Sequence, residues 1–218
     1  MNQLVFKFPF KTKYFKQDFY VSSNNFSAYK LIESWPNWPG KWLNVYGVSG
    51  SGKTHLSKIL EKKITKLKIL NENEVNNEVI DEINYLDCLI IDNFNNNINQ
   101  NLLYSILNQS KQREKYVVIN SIKSLKGTFF KLLDLKSRIN SFVNIGIGLP
   151  TDDLLRVIIS KTFSDKQISL DPKISEYIIK NVDRSYDKML KFIKDIDDLS
   201  LSSGKSININ LIKKVLNK

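Results

Sequence analysis

A chain of 218 residues, 42% hydrophobic and 25% charged, is long enough for one medium domain, or a domain with a small appendage, around a sizeable core. No apolar run approaches the roughly 20 residues of a membrane span, and Met1–Phe10, broken by Lys7 and Pro9, is not a secretory signal, so a soluble cytoplasmic protein is expected. One cysteine, Cys88, excludes an internal disulfide and a cysteine metal cluster, while the net charge of +11 comes mostly from lysines spread along the chain and reads as a solvated surface rather than a dedicated DNA groove.

Residues 1–13 read as an extended arm in which apolar and aromatic residues alternate with Lys. After an irregular stretch, an amphipathic helix is expected from Phe26 to about Trp35, stopped by Pro36 and Pro39. Trp42–Tyr46 is a strand-like run that feeds Gly47-Val-Ser-Gly-Ser-Gly-Lys-Thr54, and a helix leaves the loop from Thr54 to Lys63. Leu67–Leu70 is a second strand, and the polar stretch 71–84 holds a short helix. Leu86–Asp92 is nearly all apolar and ends in a carboxylate, as a buried parallel strand does. A helix over 99–113 and strands at Tyr116–Asn120 and Phe142–Ile147 complete an alternation that predicts an α/β fold, a five-stranded parallel sheet flanked by helices. Beyond Leu149-Pro150 only helical periodicity remains, at 152–163, 172–181, 184–201 and 209–216, so residues 150–218 are expected to form a small all-helical lid after an α/β domain over 14–149.

Residues 47–54 fit the phosphate-binding pattern G-x-x-x-x-G-K-[ST]. Gly47, Gly50 and Gly52 permit a tight turn in which the backbone of Ser49, Ser51 and their neighbours, with the helix N-terminus, faces phosphate oxygens. Lys53 is expected to reach the β- and γ-phosphates, and Thr54 and Asp92 to hold Mg²⁺. The ligand expected is therefore a nucleoside triphosphate or diphosphate with Mg²⁺. Many hydrolytic phosphate-loop proteins carry a second carboxylate directly after the strand-end Asp. Here Asn93 stands there; it can orient water but not accept its proton, and Asp87 lies at the wrong end of the strand, so slow intrinsic hydrolysis is expected. Asn120, with Ser121, is placed at a strand end where it could contact the γ-phosphate or the water, though Asn there is equally a turn former. Arg138 falls between the fourth and fifth strands, where a nucleotide in a neighbouring subunit is within reach.

Together these residues resemble the AAA+ family, and within it the DnaA/Hda branch. Tyr14-Phe15-x-x-Asp18-Phe19 with Val21 and Asn25 is similar to that branch's adenine-side box. Gly52-Lys-Thr-His-Leu56 matches its phosphate loop, which makes His55 a packing residue, and Ser137-Arg138-Ile139 resembles its arginine-finger box with Ile139 in place of the usual Phe or Leu. Trp35-Pro-Asn-Trp-Pro39 and Ile193-x-x-Ile196-Asp197-x-x-Ser200-Leu201 look like the short Hda-type regulators of alphaproteobacteria. The branch's lid arginine that senses nucleotide aligns with Asp187, between Arg184 and Lys188, leaving Arg184 as the nearest substitute before it. Gln3-Leu4-Val5-Phe6-Lys7-Phe8 resembles a sliding-clamp-binding peptide, with Gln3 as the polar contact and Leu4, Phe6 and Phe8 as apolar anchors.

The resemblance implies a regulator that binds adenine nucleotide (ADP or ATP) and the sliding clamp (β subunit) of DNA polymerase III, meets DNA through the clamp, and applies Arg138 to ATP held by DnaA. The neighbour receiving the arginine is DnaA or a second copy of the chain. DnaA's helix-turn-helix domain has no counterpart after Leu216, and whether the Lys-rich surface itself touches DNA is left open by the sequence. An autonomous helicase-loader-like ATPase acting on DNA is the alternative, and a nucleotide kinase a third class disfavoured by the helical lid.

Overall fold

The computed structural model describes residues 19–204 and 206–216. An α/β unit ends at Gly148 and a helical unit begins at Leu149. The first unit runs α1 (Phe26–Glu33), β1 (Trp42–Tyr46), α2 (Lys53–Glu61), β2 (Leu67–Asn71), α3 (Glu78–Glu82), β3 (Cys88–Phe94), α4 (Gln100–Gln112), β4 (Tyr116–Ser121), α5 (Leu133–Asn140) and β5 (Val143–Gly146). All five strands are parallel, in the order β2-β3-β4-β1-β5.

Period-two alternation divides the strand residues between the two faces of the sheet. Leu89, Ile91, Val117 and Ile119 pack with Val79, Ile83, Leu103, Ile106, Leu107, Leu135 and Ile139, the apolar stripes of α3, α4 and α5. Leu43, Val45, Cys88, Ile90 and Val118 face the other way, against Ala28 and Ile32 of α1 and Leu56, Ile59 and Leu60 of α2. A sheet covered on both faces accounts for the uninterrupted apolar run in β3. That strand begins at Cys88 rather than Leu86 and continues two residues past Asp92, with a register shift against β4 between Ile91 and Phe94. α1 stops at Glu33, two residues before Trp35.

The helical unit comprises α6 (Asp152–Ser164), α7 (Pro172–Asn181), α8 (Tyr186–Ser203) and α9 (Ile209–Leu216). Side-chain caps set all four starts, Asn208 Oδ1 accepting from Leu211 N–H (3.0 Å) ahead of α9. Thr151 accepts from Leu154 N–H, Asp171 from Lys173 N–H ahead of a first-turn proline, and Ser185 from Lys188 N–H. The Ser185 cap starts α8 two residues later than the periodicity from Arg184 suggests. Gly204, at φ 62°, ends it in the left-handed conformation that favours glycine. Leu155, Ile159, Phe163, Ile178, Met189, Ile193, Ile196 and Ile212 form this unit's own core. Among the described residues no helix is long and apolar enough to cross a membrane.

Candidate functional site

β1 delivers the chain into the glycine loop between two neighbours that hold it at the C-terminal edge of the sheet. Ile147 N–H donates to Tyr46 O (2.7 Å), and Gly47 N–H donates to Ser121 O (3.1 Å). A Cβ on Gly47 would lie 2.8 Å from Ile147 O and 2.9 Å from Ser51 Oγ, so the cradle admits glycine only. Gly50 and Gly52 take φ 74° and 98°, and α2 begins directly after Gly52 with no side-chain cap. A helix N-terminus approached by a left-handed glycine turn is an anion site. Val48, Ser49 and Gly50 are exposed on the loop, while Ser51 and Lys53 are buried. The Lys53 ammonium is folded over the loop, donating to Gly47 O (2.7 Å) and Val48 O (3.0 Å).

Asp92 lies across from the loop and is 3% exposed. Its Oδ2 accepts from Thr54 Oγ1 (2.7 Å), and its Oδ1 accepts from Asn120 Nδ2 (2.9 Å) and from Asn93 N–H (3.0 Å). Asn120 Nδ2 also donates to Ser57 Oγ (2.8 Å). The fold thus brings Thr54, Asp92 and Asn120 into one hydrogen-bonded cluster beside the phosphate loop. A hydroxyl and a carboxylate in contact form a hard-oxygen pair that fits Mg²⁺, which takes one or two protein oxygens and completes its shell with phosphate and water. No group of three or more His, Cys, Asp or Glu that could hold a metal occurs among the described residues, so phosphate oxygens would have to share the ion.

Asn93 sits at φ 55°, a conformation Asn tolerates better than most residues, and is exposed. Its Nδ2 donates to Asn71 Oδ1 at the end of β2 (2.9 Å). Just past Asn71, the buried Glu72 carboxylate accepts from Asn95 N–H (2.9 Å), Asn97 N–H (2.7 Å) and Ile98 N–H (3.3 Å). The end of β2 therefore holds the turn that follows β3.

Phe19, expected on the adenine side, stacks on Tyr29 (5.7 Å between centroids) and meets His55 edge-on (5.2 Å). Its ring covers Gly52, where an added Cβ would come within 3.0 Å of it. Val21 is half-buried. The Asn25 amide is engaged by its own turn, accepting from Ser22 N–H (2.9 Å) and donating to Tyr20 O (3.0 Å). Arg138, half-buried on α5, donates from Nη2 to Asn108 Oδ1 on α4 (2.9 Å). In the helical unit Arg184 is exposed and pairs with Asp152 (3.1 Å), and Asp187 is exposed in the first turn of α8. Gln3, Leu4, Phe6 and Phe8, with Tyr14, Phe15 and Asp18, lie outside the described residues.

Five polar residues, Asn44, Ser57, Asn71, Glu72 and Asn108, support this site without a motif of their own. Asn44 interrupts an otherwise apolar strand and Glu72 sits in a polar stretch, so only Asn44 carried a sequence signal, as a polar residue inside a buried run.

A family model described as RNA helicase matches residues 43–132. The chromosomal replication initiator protein DnaA of Buchnera aphidicola subsp. Cinara cedri is 28% identical over 216 residues, covering 88% of this chain and 49% of that protein. The chain thus spans about half the length of that relative. Domain III of the Thermotoga maritima replication initiation protein DnaA superposes with a TM-score of 0.77 at 19% identity, covering 96% of this chain and 98% of that one. A replication initiator DnaA bound to AMPPCP and single-stranded DNA gives 0.71 at 20% identity, over 89% and 67%. A phosphate loop, an Asp-bearing neighbouring strand and a trailing helical unit thus occur in a chain that is similar in sequence to DnaA proteins and shares the fold of DnaA domain III.

Proposed function

We propose that the chain is a regulator of replication initiation that binds an adenine nucleotide to hold its shape and supplies Arg138 to ATP bound by DnaA. The observation that carries this reading is the state of Arg138. It is a half-buried guanidinium whose one hydrogen-bond partner among the described residues is a neutral amide. No carboxylate lies within ion-pair distance of it among the described residues, and Asp134, one turn earlier on α5, does not pair with it. An uncompensated cation at such a position suits an external anion. Guanidinium charge placed on a transferring γ-phosphoryl accelerates hydrolysis by about 10³–10⁵-fold.

Similarity to DnaA supports adenine as the base and DnaA as the kind of subunit met. Thr54 and Asp92 would hold Mg²⁺, which offsets phosphate charge when bound. Asn93 in the position of a second carboxylate supports a protein that keeps its nucleotide. Gln3, Leu4, Phe6 and Phe8 are the proposed contacts to the sliding clamp, which would bring the regulator to DNA. The test is DnaA ATP hydrolysis with and without the protein and clamp on DNA. Stimulation that is lost in Arg138→Ala, and lost without the clamp in Gln3→Ala/Phe6→Ala, is the expected result. Normal stimulation by Arg138→Ala removes the mechanism.

A second reading, an autonomous ATPase of helicase-loader type acting on DNA, is favoured by the +11 charge and by the single-stranded DNA on a DnaA of the same fold. Brisk turnover by the isolated protein, raised further by single-stranded DNA, would select it.

A further inference from the structure

We infer that Asn108 is a positioning residue for Arg138, and that α4 is the platform from which the arginine is presented. The inference rests on the reading of Arg138 given above and names the residue that makes it effective.

Two side chains of α4 hold the segment that carries the arginine. At the first residue of the helix, Gln100 Oε1 accepts from both Lys131 N–H (2.9 Å) and Leu132 N–H (3.0 Å), fixing the two residues that lead into α5. Two turns later, Asn108 Oδ1 accepts from Arg138 Nη2 (2.9 Å). Between these contacts Leu135 and Ile139 of α5 are buried in one cluster with Leu103, Ile106 and Leu107 of α4, so the two helices are packed together where they meet. The backbone approach and the guanidinium head are thus tied to one helix.

The chemistry of the acceptor matters. A carboxylate at position 108 would orient the guanidinium equally well but would neutralise it, and the pair would be reluctant to part for a phosphate. An amide oxygen restricts the rotamers of a long side chain and leaves its full charge available, with four of its five N–H donors still to use. Restricting the head before the partner arrives removes part of the ordering cost from the reactive complex, and misplacement by about 1 Å can cost on the order of 10²-fold in rate. Asn108 touches neither nucleotide nor substrate in this arrangement; it acts through Arg138.

The experiment measures DnaA ATP hydrolysis against the concentration of the full-length protein, with clamp on DNA, separating the maximal rate from the half-saturating concentration. Asn108→Ala is expected to lower the maximal stimulation by roughly 10- to 100-fold with half-saturation and thermal midpoint little changed. Asn108→Asp is expected to fall at least as far, because the new ion pair quenches the arginine. On an Arg138→Ala background, Asn108→Ala should have no further effect. Wild-type maximal stimulation by Asn108→Ala, full activity of Asn108→Asp, or a further loss on the Arg138→Ala background would each overturn the inference. An inactive Arg138→Ala beside a fully active Asn108→Ala overturns this inference alone, whereas a fully active Arg138→Ala overturns the functional reading beneath it as well.

Discussion

Asn44 is a polar side chain at 0% exposure in the middle of β1, three residues before the phosphate loop. Its Nδ2 donates to Ile119 O (2.9 Å) and Ser121 Oγ (2.8 Å), and its Oδ1 accepts from Leu125 N–H (2.9 Å). Asn44→Ala breaks all three. Ser121 Oγ still donates to Lys123 O (2.6 Å), so there and at Ile119 O the loss is an ordinary bond, about 1 kcal/mol each. Leu125 N–H is buried and loses its acceptor outright, which costs about 1–3 kcal/mol more. The sum is about 3–5 kcal/mol, a large share of the 5–15 kcal/mol by which domains are typically stable. Trp35, Trp38 and Trp42 all lie in the α/β unit, so tryptophan fluorescence during urea unfolding reports that unit. With a slope of about 2–3 kcal/mol per molar, the midpoint should fall by about 1–2 M with the slope unchanged. A shift below about 0.5 M would mean that Leu125 N–H finds another acceptor, and would refute the view that Asn44 is the pin between β1 and the segment after β4.

Three further outcomes are expected. Gly47→Ala drives a Cβ into Ile147 O at 2.8 Å, so the loop must shift; ADP affinity by calorimetric titration should fall by about tenfold or more, whereas Gly127→Ala, which meets nothing within 4 Å, should bind normally. Glu72→Ala removes the acceptor shared by three backbone N–H groups and should lower the urea midpoint by an amount equivalent to about 2 kcal/mol, with Glu72→Gln retaining part of it. Burial pushes the Cys88 thiol well above its ordinary value, with the Asp87 charge adding to the effect. A raised native pKa means that the unfolded chain loses its thiol proton first as pH rises. The stability from this group is therefore complete below about pH 9, its unfolded value, and declines above it. Alkylation of Cys88 at pH 8 should accordingly follow global unfolding rather than the thiol's intrinsic rate.

The elements of the α/β unit were legible because both of its signals are local. Val117, Val118 and Ile119 in β4 are apolar on both faces, and the glycines of the loop announce a turn that other residues resist. Where the reading slipped, the deciding contact was distant or a matter of one cap. Nothing near Asp92 says that β3 runs on to Phe94, because the extension depends on pairing with Ser121 of β4. α8 begins at Tyr186 because the Ser185 hydroxyl caps it, although the apolar period extends further back. The site followed the same division. Lys53, Thr54 and Asp92 belong to short patterns with fixed spacing. Ser57, Glu72 and Asn108 join the site across 63, 23–26 and 30 residues of chain, distances at which a single sequence carries no pairing signal.

The path of β3 beyond Asp92 bears on the proposal that the protein retains rather than consumes its nucleotide. After Ile91 the strand slips its register against β4, and the chain turns through a left-handed residue at Asn93. The slip leaves Asp92 facing Thr54 and Asn120, while the Asn93 side chain is directed to Asn71 on the opposite neighbour, β2. Two successive polar residues are thereby assigned to different partners, one to the phosphate loop and one to the edge of the sheet. Glu72 reinforces the second assignment by gripping the turn that follows. A carboxylate at position 93 would supply a general base, whose help is typically about 10²–10⁴-fold, and, having no N–H to give Asn71 Oδ1, would be released from β2 as well. The proposed low intrinsic turnover therefore has two supports, the amide itself and its tether; Asn93→Asp removes both and is expected to raise ATP hydrolysis by more than Asn71→Ala, which removes the tether alone. An Asn71→Ala rate equal to that of the unaltered protein would show that the tether contributes nothing and leave the missing carboxylate as the whole cause.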